Sequence, residues 1–134
     1  MKHIELINSV SQTVASGGNI ALGVVNFRYC NGAFLYNGSD AITLGAPGVY
    51  EVLIKADVTG TVATQTVKYS IVHNGTVSTV SSATAVTADV GDTITLTIPK
   101  LIRICSTPIT LNLVNSGAAD TTYNNIIVDI VKVA

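Results

Sequence analysis

Charged side chains are scarce in this sequence. Asp, Glu, Lys and Arg make up 11% of the 134 residues, against about 25% in an average soluble domain. The seven basic residues are scattered and the net charge is −1, which argues against nucleic-acid binding. Thr, Ser, Asn and Gly must therefore supply the polar surface. A surface poor in Lys and Glu resembles a subunit interface, and a monomer with a Thr-rich coat is the alternative.

Long apolar runs are also missing. No stretch approaches the roughly 18 residues that a membrane-spanning helix needs, so no membrane insertion is expected. The N-terminal segment MKHIELINSVSQ is interrupted by Glu5 and Asn8, and it therefore does not resemble a secretory signal peptide. We therefore expect the protein to be synthesised in a cytoplasm. The same segment is apolar enough to pair with a partner protein by strand addition.

Histidine and cysteine each occur only twice, which argues against a Cys/His zinc site within one chain. His73 precedes the Asn74-Gly75 turn, so an exposed turn residue is expected there. Neither histidine stands in a motif that marks a nucleophile partner, and no Gly-rich phosphate loop precedes a helix. The sequence therefore predicts no metal, no cofactor and no enzymatic activity.

What the sequence has is a series of short segments with period-two alternation, bounded by Gly, Asn, Asp, Ser or Pro. The segments are KHIELIN (2–8), VVNFRYC (24–30), FLY (34–36), AITL (41–44), GVYEVLIKADV (48–58), VKYSIVHNGT (67–76), VGDTITLTIP (90–99), ITLNLVNSG (109–117) and NNIIVDIVKV (124–133). This pattern predicts one all-β domain over residues 1–134, a two-sheet antiparallel sandwich without significant helix. Residues 1–18 form a leader with an N-terminal strand, and residues 19–134 form the core.

The last of these segments is apolar on both faces. Ile126, Val128 and Ile130 share one face, whereas Ile127, Val131 and Val133 share the other. Without a covering helix, a strand of this kind favours a subunit interface. The same interpretation extends to two further residues on nominally outward faces, Val72 and Val114.

The order and spacing of these segments resemble the C1q/TNF-like jelly-roll superfamily. The resemblance covers roughly residues 19–134, and its markers are a Gly-x-Tyr strand, an Asn-Gly hairpin and a Gly-Asp before a strand: Gly48 and Tyr50, Asn74-Gly75, and Gly91-Asp92. Such domains normally trimerise, so the resemblance implies a homotrimer.

Within that superfamily the chain looks most similar to small stand-alone proteins encoded in phages and prophages. The features in common are the leader 2–23 and two Arg-x-Cys motifs, Arg28-Tyr29-Cys30 and Arg103-Ile104-Cys105. This resemblance implies a virion accessory protein, namely a head decoration, head fibre or tail appendage, with other virion proteins as partners. It would be made in the host bacterial cytoplasm and located in the virion.

Two interpretations stay open at the sequence level. Cys30 and Cys105 either meet as a disulfide or ligand pair on neighbouring strands, or are two small buried hydrophobes. A carbohydrate or cell-surface binding module is the alternative function. The chain has no Trp and seven aromatic residues in all, and the loop-proximal candidates for stacking on surface glycans are Tyr29, Phe34, Tyr36 and Tyr123.

Overall fold

The fold was determined as a computed structural model, and it describes residues 2–29 and 31–134. These residues form strands and one short 3-10 turn, Asn31–Ala33. The strands are β1 (Lys2–Asn8), β2 (Gln12–Val14), β3 (Val24–Tyr29), β4 (Phe34–Tyr36), β5 (Ala41–Leu44), β6 (Gly48–Gly60), β7 (Gln65–His73), β8 (Thr76–Thr87), β9 (Thr93–Ile104), β10 (Ile109–Asn115) and β11 (Thr121–Lys132).

The strands are arranged in two antiparallel sheets that pack face to face. The six-stranded sheet has the order β3-β1-β11-β6-β9, with β2 also paired to β11, and the five-stranded sheet has the order β4-β5-β10-β7-β8. The first and last strands are therefore neighbours, as the β1–β11 register from Lys2↔Lys132 to Asn8↔Ile126 shows. The two-sheet antiparallel jelly-roll sandwich predicted from the sequence is confirmed.

Alternation along the strands places the core between the sheets. In β6 every second residue is buried, whereas Glu51 and Leu53 between them are exposed. β11 follows the same rule, with Ile126, Val128 and Ile130 buried. Successive side chains of a strand point to opposite faces of its sheet, so each strand contributes one face to the core and one to the outside.

Three tyrosines are among the largest side chains in the core. Tyr50, Tyr69 and Tyr123 are fully buried. Their hydroxyls donate to the carbonyl oxygens of Ala46 (2.6 Å), Leu96 (2.7 Å) and Lys68 (2.8 Å), respectively. Burial raises the pKa of each of these hydroxyls. The rings of Tyr69 and Tyr123 meet edge to face at 6.1 Å, a favourable aromatic geometry. A polar atom inside the sandwich is thus tolerated because it has a partner.

Several strand predictions need correction. β2 and β8 were not predicted; β8 reads TVSTVSSATAVT, in which Ser, Thr and Ala hide the alternation. β9 was expected to end at Pro99 but runs on to Ile104, which an edge strand permits because its outer N–H groups need no partner. Asn-Gly pairs are hairpin signals, but Asn31-Gly32 lies in the 3-10 turn Asn31–Ala33.

The N-terminal strand is also placed differently from the expectation. β1 was expected to be available for strand addition, yet it is paired on both sides, with β11 and with β3. Its backbone groups therefore have partners within the chain. In the part of the chain that the structure describes, no helix has the length and apolar character needed to cross a membrane.

Candidate functional site

The outer face of the six-stranded sheet carries an open groove of about 760 Å³. It lies over three adjacent strands, β11, β6 and β9, and β8 closes one side. Its lining is mostly apolar and consists of Glu51, Val52, Leu53, Val80, Pro99, Lys100, Leu101, Asp129 and Val131. Below, this surface is called the groove.

Strand register explains the floor of the groove. Leu53 on β6 lies between Asp129 on β11 and Pro99 on β9. Glu51, two residues before Leu53 and on the same face of β6, is paired with both Val131 and Leu101. These outward positions therefore form two rows that cross three strands. Leu53 is 49% exposed and Leu101 is 64% exposed, although both are large aliphatic side chains.

A bulge in β8 builds the side wall. Ser70 is paired with Ser82 while Val72 is paired with Val77, so four residues of β8 oppose Ile71 alone. The bulge is held by Ser82, whose hydroxyl donates to the Ser78 carbonyl at 3.0 Å. Bulges of this kind redirect side chains, and here Val80 is left 84% exposed at the rim.

Most of this surface was not predicted from the sequence. Leu53 was visible as the one apolar residue on the polar face of its strand. Leu101 lies beyond the predicted end of its strand, and Val80 lies in a strand that was not predicted. The sequence pattern that could have revealed Leu101 is the alternation that continues past Pro99, because the exposed Leu101 is followed by Ile102 and Ile104 on the buried face.

A second exposed apolar surface lies at the other edge of the same sheet. All six residues of β3 are exposed, including Val24 (65%), Phe27 (47%) and Tyr29 (57%). Phe27 meets His3 edge to face at 5.1 Å, and His3 in turn contacts the carboxylate of Asp129 through Nε2.

The aromatic residues proposed for glycan binding are mostly unavailable. Phe34 is 6% exposed and Tyr123 is fully buried, so the expectation was wrong for both, because each points between the sheets. Tyr36 is half-buried, with its hydroxyl near the carbonyl oxygens of Gly23 (2.6 Å) and Ser39 (3.0 Å). Burial, followed by the charge of Asp40, raises the pKa of Tyr36. Tyr29 alone of the four presents an open ring.

The residues proposed for an interface divide into two groups. Val72 and Val114 are each 6% exposed, so neighbouring side chains of the same chain already cover them and they present little surface to a partner. Ile127 and Val131 are half-buried on the outer face of the six-stranded sheet, and Val133 is 48% exposed. The latter group lies where a partner could reach it.

The structure describes only one of the two cysteines that were predicted to lie close together. Cys105 is exposed just after β9, whereas Cys30 lies outside the described residues. The strands that lead to them, β3 and β9, are opposite edges of one sheet with three strands between them. Strand order therefore gives no support to a pairing within one chain, and the proximity of the two cysteines stays a prediction.

His73 differs from the exposed turn residue that was expected. It is half-buried, and its Nε2 atom is buried without a hydrogen-bond partner. Burial and then the nearby ammonium of Lys100 lower its pKa. In the described residues no three His, Cys, Asp or Glu side chains come together as a metal site would require.

Comparison with known proteins identifies the fold. No family model matches the sequence, and no curated protein matches it either. Solved structures do match: the globular domain of zebrafish complement 1qA protein has a TM-score of 0.75 at 8% identity, covering 100% of this chain and 98% of that one. Eiger TNF from S. frugiperda has 0.73 at 11% identity (99% and 91% covered). Murine APRIL at pH 5.0 has 0.72 at 10% identity (98% and 98% covered). The chain has the C1q/TNF-like jelly-roll fold.

Proposed function

We propose that this protein is a non-enzymatic structural module that assembles into a homotrimer and serves as an accessory component of a phage particle. The groove carries the self-assembly part of this proposal. Leu53, Val80 and Leu101 expose large apolar side chains on one continuous surface. Covering these side chains with a second copy of the chain would remove them from water.

Burial of the groove would favour self-assembly. Fully burying one Leu or Val side chain stabilises by about 1.5–3 kcal/mol, and at least four such side chains line the groove. Few charges oppose the contact, since only Glu51, Lys100 and Asp129 accompany them. Glu51 lies between Val131 and Leu101 on the floor of the groove, so a stable contact must also supply its carboxylate with a partner.

The phage assignment has a different support. It rests on the sequence resemblance of the leader and of the two Arg-x-Cys motifs to phage-encoded proteins. The particle component is proposed as a head decoration, head fibre or tail appendage. The glycan-binding alternative loses support, because two of its four aromatic residues are buried.

Wild-type protein at micromolar concentration is expected to be trimeric by light scattering, with a total interface above roughly 2,000 Å² per assembly. Val131→Lys should yield folded monomers, because it places an ammonium in the buried centre of the contact. Thr95→Lys serves as the control: Thr95 is on the same face but away from the groove, beside Asp57. A monomeric wild type would overturn the self-assembly proposal.

Mass spectrometry of purified phage particles tests the proposed location. The protein should be present in stoichiometric amounts after density-gradient purification. If it accumulates free in lysogenic or infected cells and is absent from particles, the virion role is wrong, and the trimer result would stand independently.

A further inference from the structure

Lys100 is a charged residue on the inward face of its strand. The other members of the same alternating series in β9 are buried, namely Leu96, Ile98, Ile102 and Ile104. The side chain of Lys100 is therefore directed towards the opposite sheet, and it is half-buried. Among the described residues its ammonium has no carboxylate within 4.0 Å. A charge taken partly out of water costs free energy unless it is paired.

His73 faces the same space from the other sheet. It follows the buried Tyr69 and Ile71 on the inward face of β7, and its Nε2 atom is buried without a hydrogen-bond partner. Burial lowers the pKa of His73, and so does the nearby ammonium of Lys100. The two side chains therefore approach each other across the edge of the sandwich, where β8 and β9 meet.

Ser81 is the third polar side chain in this space, and the bulge of β8 sets its position. Ser81 lies on the same face as Ala83 and is 2% exposed. Its backbone amide donates to the Oγ of Ser78 at 3.2 Å, whereas its own hydroxyl is buried without a partner. The bulge places Ser81 beside Ile71. Ser81 is therefore a diagonal neighbour of His73, which stands two residues further along β7 on the same face.

The unpaired polar atoms of the sandwich are concentrated here. In the part of the chain that the structure describes, His73 Nε2 and Ser81 Oγ are the only buried side-chain nitrogen or oxygen atoms without a hydrogen-bond partner. Buried polar groups in proteins are otherwise paired. Two such atoms next to an unpaired ammonium indicate a ligand that carries a negative charge and hydrogen-bonding oxygens. The groove includes Val80 and Lys100, so a small molecule can reach this space from it.

We propose that Lys100, His73 and Ser81 form a binding site for a small carboxylate. The ammonium of Lys100 supplies the positive charge, and the hydroxyl of Ser81 and the imidazole of His73 donate hydrogen bonds to the carboxylate oxygens. Hydrogen bonds to an ionised group are stronger than those between neutral groups. This site goes beyond the structural role proposed above and does not depend on it.

The charge and surroundings of the site favour a carboxylate over a phosphate group. A carboxylate carries one negative charge, which the single ammonium balances, whereas a phosphate group carries about −1.5 to −2 near pH 7. The neighbours of the site are apolar: Val52 is the strand partner of Lys100, and Ile71 precedes His73 on the inward face. Both are buried, so they suit the hydrocarbon part of an organic acid.

Binding should depend on pH through His73. On the strands around it, the other inward-facing titratable residues are Tyr50, Tyr69 and Lys100, and β8 and β10 contain none. Burial raises the pKa of both tyrosines, so they stay neutral. A carboxylate bound beside His73 raises the pKa of that imidazole, so binding takes up protons. Affinity should therefore increase as pH falls from about 7.5 to about 5.5, where histidine titrates and an ordinary carboxyl stays ionised.

Acetate titration at constant ionic strength, balanced with sodium chloride, tests the site. The imidazole resonances in NMR spectra report the pKa of His73, and thermal melts report stabilisation by acetate. Acetate should raise both. His73→Gln identifies the His73 resonances; because glutamine keeps an N–H donor and does not titrate, this variant should bind acetate without the dependence on pH.

Variants of the other two residues give the expected losses. Lys100→Met keeps the length of the side chain and removes the charge, and Ser81→Ala removes one hydrogen bond to a charged group. Each should weaken acetate binding by about tenfold or more. Lys68→Met is the matched control, because Lys68 lies on the outward face of the same strand as His73; it should bind acetate as the wild type does. Circular dichroism checks that each variant is folded.

Four results would overturn the proposal. If acetate changes nothing, a water molecule serves His73 and Ser81; if chloride acts as strongly as acetate, the effect is charge screening. Binding of phosphate in place of acetate would make the carboxylate assignment wrong. Equal behaviour of Lys100→Met and Lys68→Met would exclude Lys100 from the site. Sedimentation velocity in the same buffers separates this test from that of self-assembly: a monomer that binds acetate overturns only the self-assembly proposal, and a trimer that does not bind it overturns only this one.

Discussion

Asn115→Asp is expected to lower the free energy of unfolding by about 3–5 kcal/mol at neutral pH, a large part of the 5–15 kcal/mol that typically stabilises a domain. Asn115 is fully buried in β10. Its Nδ2 atom donates to the carbonyl oxygens of Val14 (2.8 Å) and Ala119 (3.0 Å), and its Oδ1 accepts from the amide of Gly117 (3.0 Å). The amide thus joins β2, β10 and the turn after β10.

An aspartate of the same shape keeps the acceptor and loses both donors. Its ionised form would set a carboxylate against two carbonyl oxygens without solvent, so the folded-state pKa of the new carboxyl would be raised. A raised folded-state pKa makes the unfolding free energy fall as pH increases from the unfolded value of about 4. Urea unfolding should therefore show the deficit growing from pH 4 to pH 7.

Asn74→Asp is the matched control for this variant. Asn74 is exposed, and its Oδ1 accepts from the amide of Thr110 at 2.7 Å; aspartate retains that acceptor. The urea midpoint should shift little. If both variants lose the same unfolding free energy, the two buried hydrogen bonds donated by Asn115 do not contribute to stability.

Gly23→Ala is expected to cost about 2–4 kcal/mol of unfolding free energy. Gly23 has a φ of 85° immediately before β3, a conformation that residues with a Cβ rarely adopt. A Cβ there would overlap the carbonyl oxygen of Ile7 and lie 2.7 Å from the Cβ of Asn8. Relief requires β1 and β3 to separate.

Gly38→Ala separates the two causes of that loss. Gly38 has nearly the same φ, 84°, but a Cβ there would meet nothing within 4 Å. The unfolding free energy of this variant should therefore fall only by the cost of placing alanine at a positive φ, about 1 kcal/mol. Thermal melts of the two variants give the difference; identical shifts would mean that the overlap with β1 is relieved without loss.

The strands and their core faces were largely predictable, because alternation is a local property. Tyr50 and Ile54 had to share a face with each other whatever the fold, and both are buried. β8 escaped prediction for a physical reason: strands at the edge of a sheet need little apolar character, and Ser, Thr and Ala supply little contrast between faces.

The candidate site was less predictable, because sheet order depends on long-range pairing. Sequence alone could not say that Leu53 and Leu101 lie beside each other, since the pairing of β6 with β9 joins segments about 50 residues apart. Aromatic residues were misassigned for the same reason. Phe34 and Tyr123 adjoin turns in the sequence, yet their strands direct them into the core.

The central position of β11 has a consequence for how the protein is made. β11 lies between β1 and β6, and a ribosome delivers it after every other described strand. At about 5–20 residues per second, β1 and β6 wait on the order of 10 s for their common partner. The pairing of β11 with β1, β2 and β6 can form only then, whereas β1 can pair with β3 and β6 with β9 before β11 is made. Pairing between distant segments is intrinsically slow. The centre of the six-stranded sheet is therefore completed last, and until β11 is made β1 and β6 each present an unpaired edge to other chains.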